Sequence, residues 1–297
     1  MKENLKKQLL DLCLGYTSRV GANETGINRL QVMHRVQKGE KRSFNEAYLA
    51  LVLQGRKKTL LGNQEYVYGS GDCVVTCLDL PSQTIIEEAS PEKPFISAVI
   101  TIDRNLLNSL CAQSLGRNLP EQPAVPNVSA MAVAPCSDEM AENFLRLLEL
   151  GRKSKLEIAL LQDTLLKEIH TRLLLSKQGA WVRAVCALEK RSGQIQKAVS
   201  IIKERFKETL AIEELASEVN LSEASFHRHF KQLTGYSPIQ FQKFLKLYEA
   251  RRLLLVGGKS VSAVAFELGY ASPSQFTHDY KSFFKATPLQ DLNFNSQ

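Results

Sequence analysis

A pattern of apolar and polar residues occurs twice in the C-terminal third of this chain of 297 residues, and it restricts the possible folds more than any other part of the sequence. Nine residues that begin at Ala216 recur 49 positions later, and the offset becomes 50 after a turn that is one residue longer. The first set is Ala216, Val219, Ser222, Phe226, Phe230, Lys231, Leu233, Ser237 and Pro238. The second set is Ala265, Leu268, Ser272, Phe276, Tyr280, Lys281, Phe283, Thr287 and Pro288. Two copies of one small unit therefore follow each other in the chain.

The first copy has the residue order of a helix-turn-helix. Residues 212–219 predict a short helix, residues 220–221 a tight turn, and Ser222 the N-cap of a second helix. The apolar side chains of this second helix are spaced by four and three residues and point inward: Phe226, Phe230 and Leu233. The opposite face carries small and cationic residues, namely Ala224, Arg228 and Lys231, flanked by Ser225 and His227. Such a face suits the major groove of DNA, where arginine can read guanine.

The second copy repeats this geometry. Residues 261–268 predict the short helix and residues 269–271 the turn. Ser272 followed by Pro273 is a preferred helix start, because the missing N–H of proline has no partner to lose there. The inward residues are Phe276, Tyr280 and Phe283. The outward residues are Ser274, His278 and Lys281, flanked by Gln275 and Thr277.

One long helix is predicted to join the two copies. It runs from Pro238 to about Val256 and ends at two glycines. About 19 residues make a rod of roughly 28 Å, and successive major-groove faces on one side of B-DNA are about 34 Å apart. A rod of this length can place two reading helices in adjacent major grooves. Arg251 and Arg252 near its end either contact phosphates or simply favour the helix C-terminus.

Residues 29–102 predict strands joined by tight turns. The apolar or alternating segments are residues 49–53, 59–61, 74–78, 84–86 and 95–102. Gly62 and Asn63 are typical of a hairpin turn, where a positive φ is needed, and residues 69–72 form another turn. Closely spaced strands of this kind favour a β-sandwich or a small barrel.

Residues 103–187 change to a helical period, with segments 103–115 and 138–150 on either side of a loop around Pro120, Pro123 and Pro126. A longer amphipathic stretch covers residues 156–175. Its leucines and isoleucine are predicted near one face: Leu156, Leu160, Leu166, Ile169 and Leu173. This stripe either packs against a second copy of the chain or covers the sheet of its own domain.

Composition excludes several classes of protein. Apolar residues make up 44% and charged residues 23% of the chain, as in ordinary globular domains. The longest apolar run has six residues, whereas a membrane span needs about 20, so we expect a soluble protein that does not enter a membrane. The N-terminal segment lacks the apolar core of a secretory signal. Six cysteines without a CxxC pair suit the reducing cytoplasm.

The positive charge is concentrated near the C-terminus. Residues 190–297 carry 15 basic and 10 acidic side chains, whereas residues 1–189 carry 23 and 21. This excess favours a polyanionic partner, although a solvated surface without a partner would give the same charge. Charge alone does not separate these two readings.

Three segments carry a resemblance to a known family. The stretch LSEASFHRHFKQLTGYSPIQFQKFLKLYEARRLLL at residues 221–255 closely resembles the AraC/XylS family of bacterial transcription regulators. So does VSAVAFELGYASPSQFTHDYKSFFKATPLQD at residues 261–291. Upstream, LVLQGRK at residues 51–57, a YxYGxGD-like turn, LDLP and ASPEKPF resemble the N-terminal domain of one subgroup. The resemblance implies an α+β chain with a β-rich, cupin-like regulatory domain at 1–187 and a bihelical DNA-binding domain at 188–297.

The resemblance also implies which residues read bases. The positions that match in the first reading helix are Ala224, Ser225, His227 and Arg228, and those in the second are Pro273, Ser274, Thr277 and His278. Lys231 and Lys281 are expected to hold phosphates, together with backbone amides at helix N-termini. Many family members have arginine where this chain has His278, so we expect the second helix to contribute less specificity than the first.

Other chemistry has little support in the residues. The β region has a single histidine, His34, and no metal site, cofactor or catalytic motif can be proposed. Cys73 and Cys77, if on one strand, share a face about 13 Å apart and cannot form a disulfide. They are either buried apolar residues or thiols that sense an electrophile or oxidant. Arg56, in a basic turn, either binds an anionic effector or is solvated.

We therefore expect a sequence-specific DNA-binding regulator that responds to an unknown small-molecule or electrophilic effector. It would be cytoplasmic, capable of forming a homodimer, and a partner of RNA polymerase if it activates transcription. Two alternatives remain at this point. A cupin-like enzyme fused to DNA-binding helices would need the histidines that are missing here, and an architectural protein would bind DNA without sequence preference.

Overall fold

The computed structural model describes residues 1–62, 64–114, 130–191 and 193–295. The chain divides into two compact units, which are Met1–Lys41 with Asn45–Leu188 and Arg42–Phe44 with Glu189–Gln297. Asn63 of the predicted hairpin and the proline-bearing loop at 120–126 lie outside the described residues. Each unit is described by itself below.

The first unit contains the first helices and the strands, apart from the strand residues Arg42–Phe44, which belong to the second unit. The strands are β1 (Gly21–Glu24), β2 (Leu30–Arg35), β3 (Gly39–Asn45), β4 (Tyr48–Gln54), β5 (Arg56–Leu61), β6 (Gln64–Gly69), β7 (Asp72–Thr76), β8 (Leu80–Glu88), β9 (Phe95–Thr101) and β10 (Ala132–Pro135). The helices are α1 (Glu3–Leu14), α2 (Arg104–Ser114), α3 (Asp138–Leu150), α4 (Lys155–Leu175) and α5 (Gly179–Arg191), the last of which continues into the second unit.

Two sheets form the β-rich part. One has the strand order β1-β2-β9-β4-β7-β10 and the other the order β3-β8-β5-β6. The predicted sandwich is confirmed, because the strands form two sheets and do not close into one barrel. Central strand β4 is buried along Leu49–Leu53, as a strand covered on both faces must be. Helix α1 covers this sheet by packing on β4, β9 and α3.

The sequence predicted the most apolar strands and missed the others. Strands β4, β5 and β8 contain the predicted segments 49–53, 59–61 and 84–86. Strands β7 and β9 overlap segments 74–78 and 95–102, which run two residues and one residue past the strand ends. Strands β1, β2, β3, β6 and β10 match none of the five segments. The missed strands include β3 and β6, whose side chains are mostly exposed or half-buried and therefore give little hydrophobic signal. The turn after β5 is confirmed at Gly62, which has a φ of 58°.

The leucine stripe of α4 is not one face, and this prediction is wrong. Leu166, Ile169 and Leu173 are buried in the first unit, but the side chains of Leu156 and Leu160 are 68% and 69% exposed. At 100° per residue the first two leucines lie on a different side of the helix from the other three. The C-terminal half of α4 therefore covers its own domain, and the N-terminal half has an exposed apolar face.

His170 joins α4 to the start of α2 by two hydrogen bonds. Its Nδ1–H donates to the Leu166 carbonyl (2.6 Å), and its Nε2 accepts from the Asp103 backbone N–H (3.1 Å). The ring is almost fully buried, and burial lowers the pKa of His170 below its ordinary value. Because Nε2 accepts a hydrogen bond, a proton there would break the contact with Asp103.

We expect the protein to lose stability as the pH falls below about 6.5, the ordinary histidine pKa. Since the folded-state pKa of His170 is lower than that of the unfolded chain, unfolding takes up a proton in this range, and one proton contributes a slope of up to about 1.4 kcal/mol per pH unit. Equilibrium denaturation between pH 5 and pH 8 measures it. His170→Gln should remove this part of the slope, and identical profiles for both proteins would refute the assignment.

The second unit is helical in every element that follows α5. The helices are α6 (Gly193–Arg205), α7 (Ile212–Glu218), α8 (Glu223–Thr234), α9 (Pro238–Val256), α10 (Val261–Glu267), α11 (Pro273–Phe284) and α12 (Pro288–Asn295). The predicted pair of helix-turn-helix copies is confirmed as α7–α8 and α10–α11. The predicted connecting helix is confirmed as α9, with 19 residues and Gly257 as its C-cap.

Side-chain caps begin the helices where the sequence predicted them. The hydroxyl oxygens of Ser222, Ser237 and Ser272 each accept from a backbone N–H three residues later. In α9 the cap is reciprocal, because Gln240 accepts from the Ser237 N–H (3.0 Å). Such caps satisfy N–H groups that have no partner inside the helix and are each worth about 1 kcal/mol.

Candidate nucleic-acid interface

Helix α8 is held by aromatic packing on its inner side. Phe226 and Phe230 are fully buried with ring centroids 5.5 Å apart, and Phe230 meets Phe241 of α9 edge-on at 5.6 Å. Burying a phenylalanine contributes roughly 1.5–3 kcal/mol. The turn before α8 has Asn220 at φ 54°, a conformation that asparagine tolerates better than most residues. These contacts fix which face of α8 points outward.

The outward face of α8 carries the predicted residues. Ala224, Arg228 and Lys231 are exposed, and Ser225 and His227 are half-buried beside them. Within the described part of the chain, no carboxylate pairs with Arg228 or Lys231. His227 lies 3.9 Å from Glu223 one turn earlier. The face therefore presents a free guanidinium and a free ammonium group next to small side chains.

The outward face of α11 also carries small and polar residues and has fewer cationic groups. Ser274, His278 and Lys281 are exposed, and Pro273 and Thr277 are half-buried. Its one carboxylate, Asp279, lies 2.5 Å from Lys243 of α9. Lys281 has no carboxylate partner among the described residues. The second face thus offers one free lysine and hydroxyl groups where the first offers an arginine.

Arg251 is bound inside the unit and does not offer its charge to phosphate. Its Nη2 donates to Asp291 Oδ1 (2.9 Å), and its Nε lies 2.8 Å from Asp291 Oδ2. The Tyr280 hydroxyl donates to the same carboxylate (2.7 Å). The polar triad formed by Arg251, Tyr280 and Asp291 ties α9, α11 and α12 together. Burial, followed by this hydrogen bond, raises the pKa of Tyr280.

The triad replaces an aromatic contact of the first copy. At the repeat offset of 50 residues, Tyr280 corresponds to Phe230 and Asp291 to Phe241. At this position α8 is thus held by two rings, and α11 by a charged hydrogen-bond network in addition to its own aromatic contacts. Sequence reasoning missed this role for Asp291, although the aligned repeat contained the signal: an aspartate stands where the first copy has a buried ring.

Arg252 is also paired. Its Nε and Nη2 donate to the two carboxylate oxygens of Glu249 at 2.7 Å. This contact lies within α9, three residues apart. Neither arginine at the end of α9 is therefore a free phosphate ligand.

Arg56 lines a cavity in the first unit. The cavity has a volume of about 580 Å³ and lies where the β4–β5, β6–β7 and β8–β9 turns meet α1. Its charged lining residues are Lys6, Arg56, Asp72, Glu88 and Lys93. Arg56 Nε lies 3.2 Å from Glu87, and among the described residues none accepts from its two terminal nitrogens or from Lys93 Nζ. The sequence missed Lys6 and Lys93 because they are far from Arg56 along the chain.

Cys73 and Cys77 do not line this cavity. Cys73 lies on β7, and Cys77 follows the end of that strand, so the two cysteines do not lie on one strand. Both are buried. A hydrogen bond with the Cys136 thiol, together with burial, raises the pKa of Cys73 well above its ordinary value. A reactive thiol stays a prediction, and this environment opposes the thiolate that it requires.

Two further observations bear on function. Among the described residues, no group of three or more histidine, cysteine, aspartate or glutamate side chains could hold a metal ion. The helices that the structure describes include none long and apolar enough to cross a membrane.

Comparison with protein families identifies both units. Residues 26–181 match the family described as AraC-type transcriptional regulator N-terminus, which is more than half of the chain. The chain belongs to the AraC-type transcriptional regulators. Residues 215–293 match a family described as helix-turn-helix domain and contain both α8 and α11. The AraC-type resemblance predicted from the sequence is thereby confirmed.

Parts of this chain are also similar in sequence to individual transcription regulators. The transcriptional regulator ArgR of Pseudomonas aeruginosa is 31% identical over 100 residues, which is 34% of this chain and 30% of that protein. The transcriptional activator RhaS of Klebsiella pneumoniae is 25% identical over 130 residues, 41% of this chain and 47% of that protein. The matches thus span less than half of either relative.

A solved structure shares the fold over nearly the whole length. Wild-type ToxT from Vibrio cholerae, solved with an unsaturated fatty acid bound, superposes with a TM-score of 0.57 at 13% identity. The match covers 89% of this chain and 94% of ToxT. At this identity the similarity shows an AraC-type fold and leaves the ligand of this chain open.

Proposed function

We propose that the chain is a transcription regulator that reads two adjacent major grooves of double-stranded DNA with α8 and α11. The observation that carries the proposal is the pair of outward faces, each with small residues and an unpaired cation, on helices that are held by buried aromatic residues. In this proposal Ala224, Ser225, His227 and Arg228 read bases at one half-site. The other half-site is read by Pro273, Ser274, Thr277 and His278, and Lys231 and Lys281 hold phosphates.

The test is selection from a random pool of duplexes by the full chain, followed by footprinting upstream of its own gene at two salt concentrations. A discrete site that spans two adjacent major grooves would support the proposal. Binding that unrelated DNA competes away equally would contradict it and favour an architectural role, since phosphate contacts alone carry no sequence information. The proposal includes no catalytic activity and places the protein in the cytoplasm, with RNA polymerase as a partner if it activates.

The effector site in this proposal is the cavity of the first unit. In this cavity the two terminal guanidinium nitrogens of Arg56 and the ammonium group of Lys93 have no acceptor among the described residues. A ligand with a carboxylate or a phosphate ester would supply one. The guanidinium can bind either group through two hydrogen bonds. Glu88 also lines the cavity and has no cationic partner among the described residues. Its negative charge would repel ligands that carry several negative charges.

Arg56→Gln is expected to weaken anion binding about tenfold, the effect of one charge-assisted hydrogen bond. The probes are short and long carboxylates, including an unsaturated fatty acid, and phosphate esters. Binding is followed by the shift in the thermal midpoint of the full chain. Lys57→Gln is the control because Lys57 is adjacent but does not line the cavity. Equal loss in both variants, or no ligand-induced shift in the wild type, would exclude this site.

Dimerisation is proposed through the exposed face of α4. Leu156 and Leu160 are one turn apart, and Leu161 beside them is 49% exposed. A symmetric contact with a second copy would bury them, because the same face of the partner is equally apolar. We expect Leu156→Glu with Leu160→Glu to give a monomer in analytical ultracentrifugation, and Lys155→Glu on the same helix to leave the dimer intact. A wild type that stays monomeric would refute the contact.

A further inference from the structure

Helix α6 and residues 206–208, together called the brace, contact both helix-turn-helix copies at equivalent places. On the first copy, Gln194 Nε2 donates to the Asn220 carbonyl (3.0 Å) and Lys197 Nζ to the Glu218 carbonyl (2.9 Å). Arg205 Nη1 also lies 3.0 Å from a Glu218 carboxylate oxygen. These contacts lie at the end of α7 and in the turn that leads to α8.

The other end of the brace holds the second copy. Lys207 Nζ lies 3.2 Å from the Glu267 carboxylate, and Phe206 packs against the apolar core of the second copy. Gly269, in the turn before α11, approaches the Lys207 carbonyl so closely that a Cβ there would lie 2.2 Å from the oxygen. With a φ of 73°, this position suits glycine in both conformation and space.

The two ends of the brace hold corresponding residues. At the repeat offset of 49, Glu218 corresponds to Glu267 and Asn220 to Gly269. Asn220 and Gly269 are also the residues with positive φ in their turns. The brace is also bound to α9, because Gln242 Nε2 donates to the carbonyls of Phe206 (3.0 Å) and Glu208 (2.7 Å). The brace thus contacts equivalent positions in the two copies.

We propose that the brace fixes the spacing between the two DNA half-sites that the regulator accepts. A contact at the turn before each reading helix, a hydrogen bond at Asn220 and a close approach at Gly269, limits how far α8 and α11 can rotate or separate. One base pair turns the duplex by about 35°, since a helical turn has about 10–10.5 base pairs. A rigid pair of reading helices must therefore reject a site lengthened or shortened by one base pair, whereas a loosened pair can follow it. This inference rests on the proposed reading of two grooves.

A single pair of variants tests the brace. The triple variant Glu218→Gln, Gln242→Leu and Glu267→Gln removes the ion pair of Glu218 with Arg205, those of Glu267 with Lys207 and Lys259, and the hydrogen bonds from Gln242. The side-chain volumes change little. The control is Glu213→Gln with Glu214→Gln, which removes two negative charges from α7 at exposed residues with no partner in the described structure. Each substitution is also made alone, so a triple variant that does not fold is replaced by the singles.

The measurement is binding of the full-length proteins to a selected duplex and to versions with one base pair added or removed between the half-sites. We expect the wild type and the control to lose more than about tenfold in affinity on either change, and the brace variant less than about threefold. An unchanged penalty in the folded variant would overturn the inference and leave α9, with its aromatic chain Tyr236–Phe244–Phe283, as the element that sets spacing. A wild type that selects no bipartite site would overturn the DNA-reading proposal itself.

Discussion

Arg228→Ala is expected to weaken binding to the selected DNA site by about 1–3 kcal/mol, which is about 5- to 150-fold. The guanidinium is exposed on α8 and has no carboxylate partner among the described residues, so its hydrogen bonds are available to a base. Guanine presents two acceptors in the major groove that match two of its N–H groups. Repeating the selection with the variant should therefore show a relaxed preference at one base pair.

Two matched variants separate reading bases from holding phosphates. Lys281→Ala should weaken binding to all duplexes about equally and lower the slope of log affinity against log salt by about one. His278→Ala should cost less than Arg228→Ala, because an imidazole offers a base fewer hydrogen-bond donors than a guanidinium does. If Arg228→Ala and Lys281→Ala lost only sequence-independent affinity, the assigned roles would be wrong. If His278→Ala cost as much as Arg228→Ala, the second helix would not be the weaker reader.

Asp291→Ala is expected to lower the free energy of unfolding by about 3 kcal/mol, the effect of breaking a largely buried ion pair on one side. The substitution leaves the Arg251 guanidinium and the Tyr280 hydroxyl without their acceptor. The Asp291 side chain is 12% exposed and that of Arg251 28%, so water can replace only part of what is lost. Urea denaturation of the full chain measures the change.

A double-mutant cycle tests whether this loss of stability comes from the interaction between Arg251 and Asp291. Arg251→Met combined with Asp291→Ala should be less destabilising than the sum of the single variants, since the second removal no longer exposes an unpaired charge. Additive losses would mean that Arg251 and Asp291 act independently. A loss below about 1 kcal/mol for Asp291→Ala would place the carboxylate in a solvated position.

These variants should also differ in which DNA half-site they affect. In an AraC-type regulator with two reading helices, a defect in the triad should appear at the half-site of α11 and a defect in Arg228 at that of α8. The base preferences selected by each variant therefore identify which half-site belongs to which helix.

The parts of this protein that depend on local periodicity could be predicted from the amino-acid sequence. The repeat located both helix-turn-helix copies, Ser222 and Ser272 marked helix starts, and the spacing of Phe226, Phe230 and Leu233 fixed the buried face of α8. Because a helix turns by a constant angle per residue, the outward face followed from the inward one. The most apolar strands could also be predicted from the sequence, because a strand that is buried on both faces has a continuous run of apolar residues.

Contacts between residues that are distant in the chain could not be predicted in this way. Lys6 and Lys93 join Arg56 at one cavity, and Asp291 accepts from Arg251 and Tyr280, because packing brings together side chains that no sequence period relates. Packing also decided which side chains of α4 are buried, since Leu166, Ile169 and Leu173 are covered and Leu156 and Leu160 are not. The brace has the same origin: Gln194 and Lys207 reach equivalent turns of the two copies through a fold that the repeat alone does not specify.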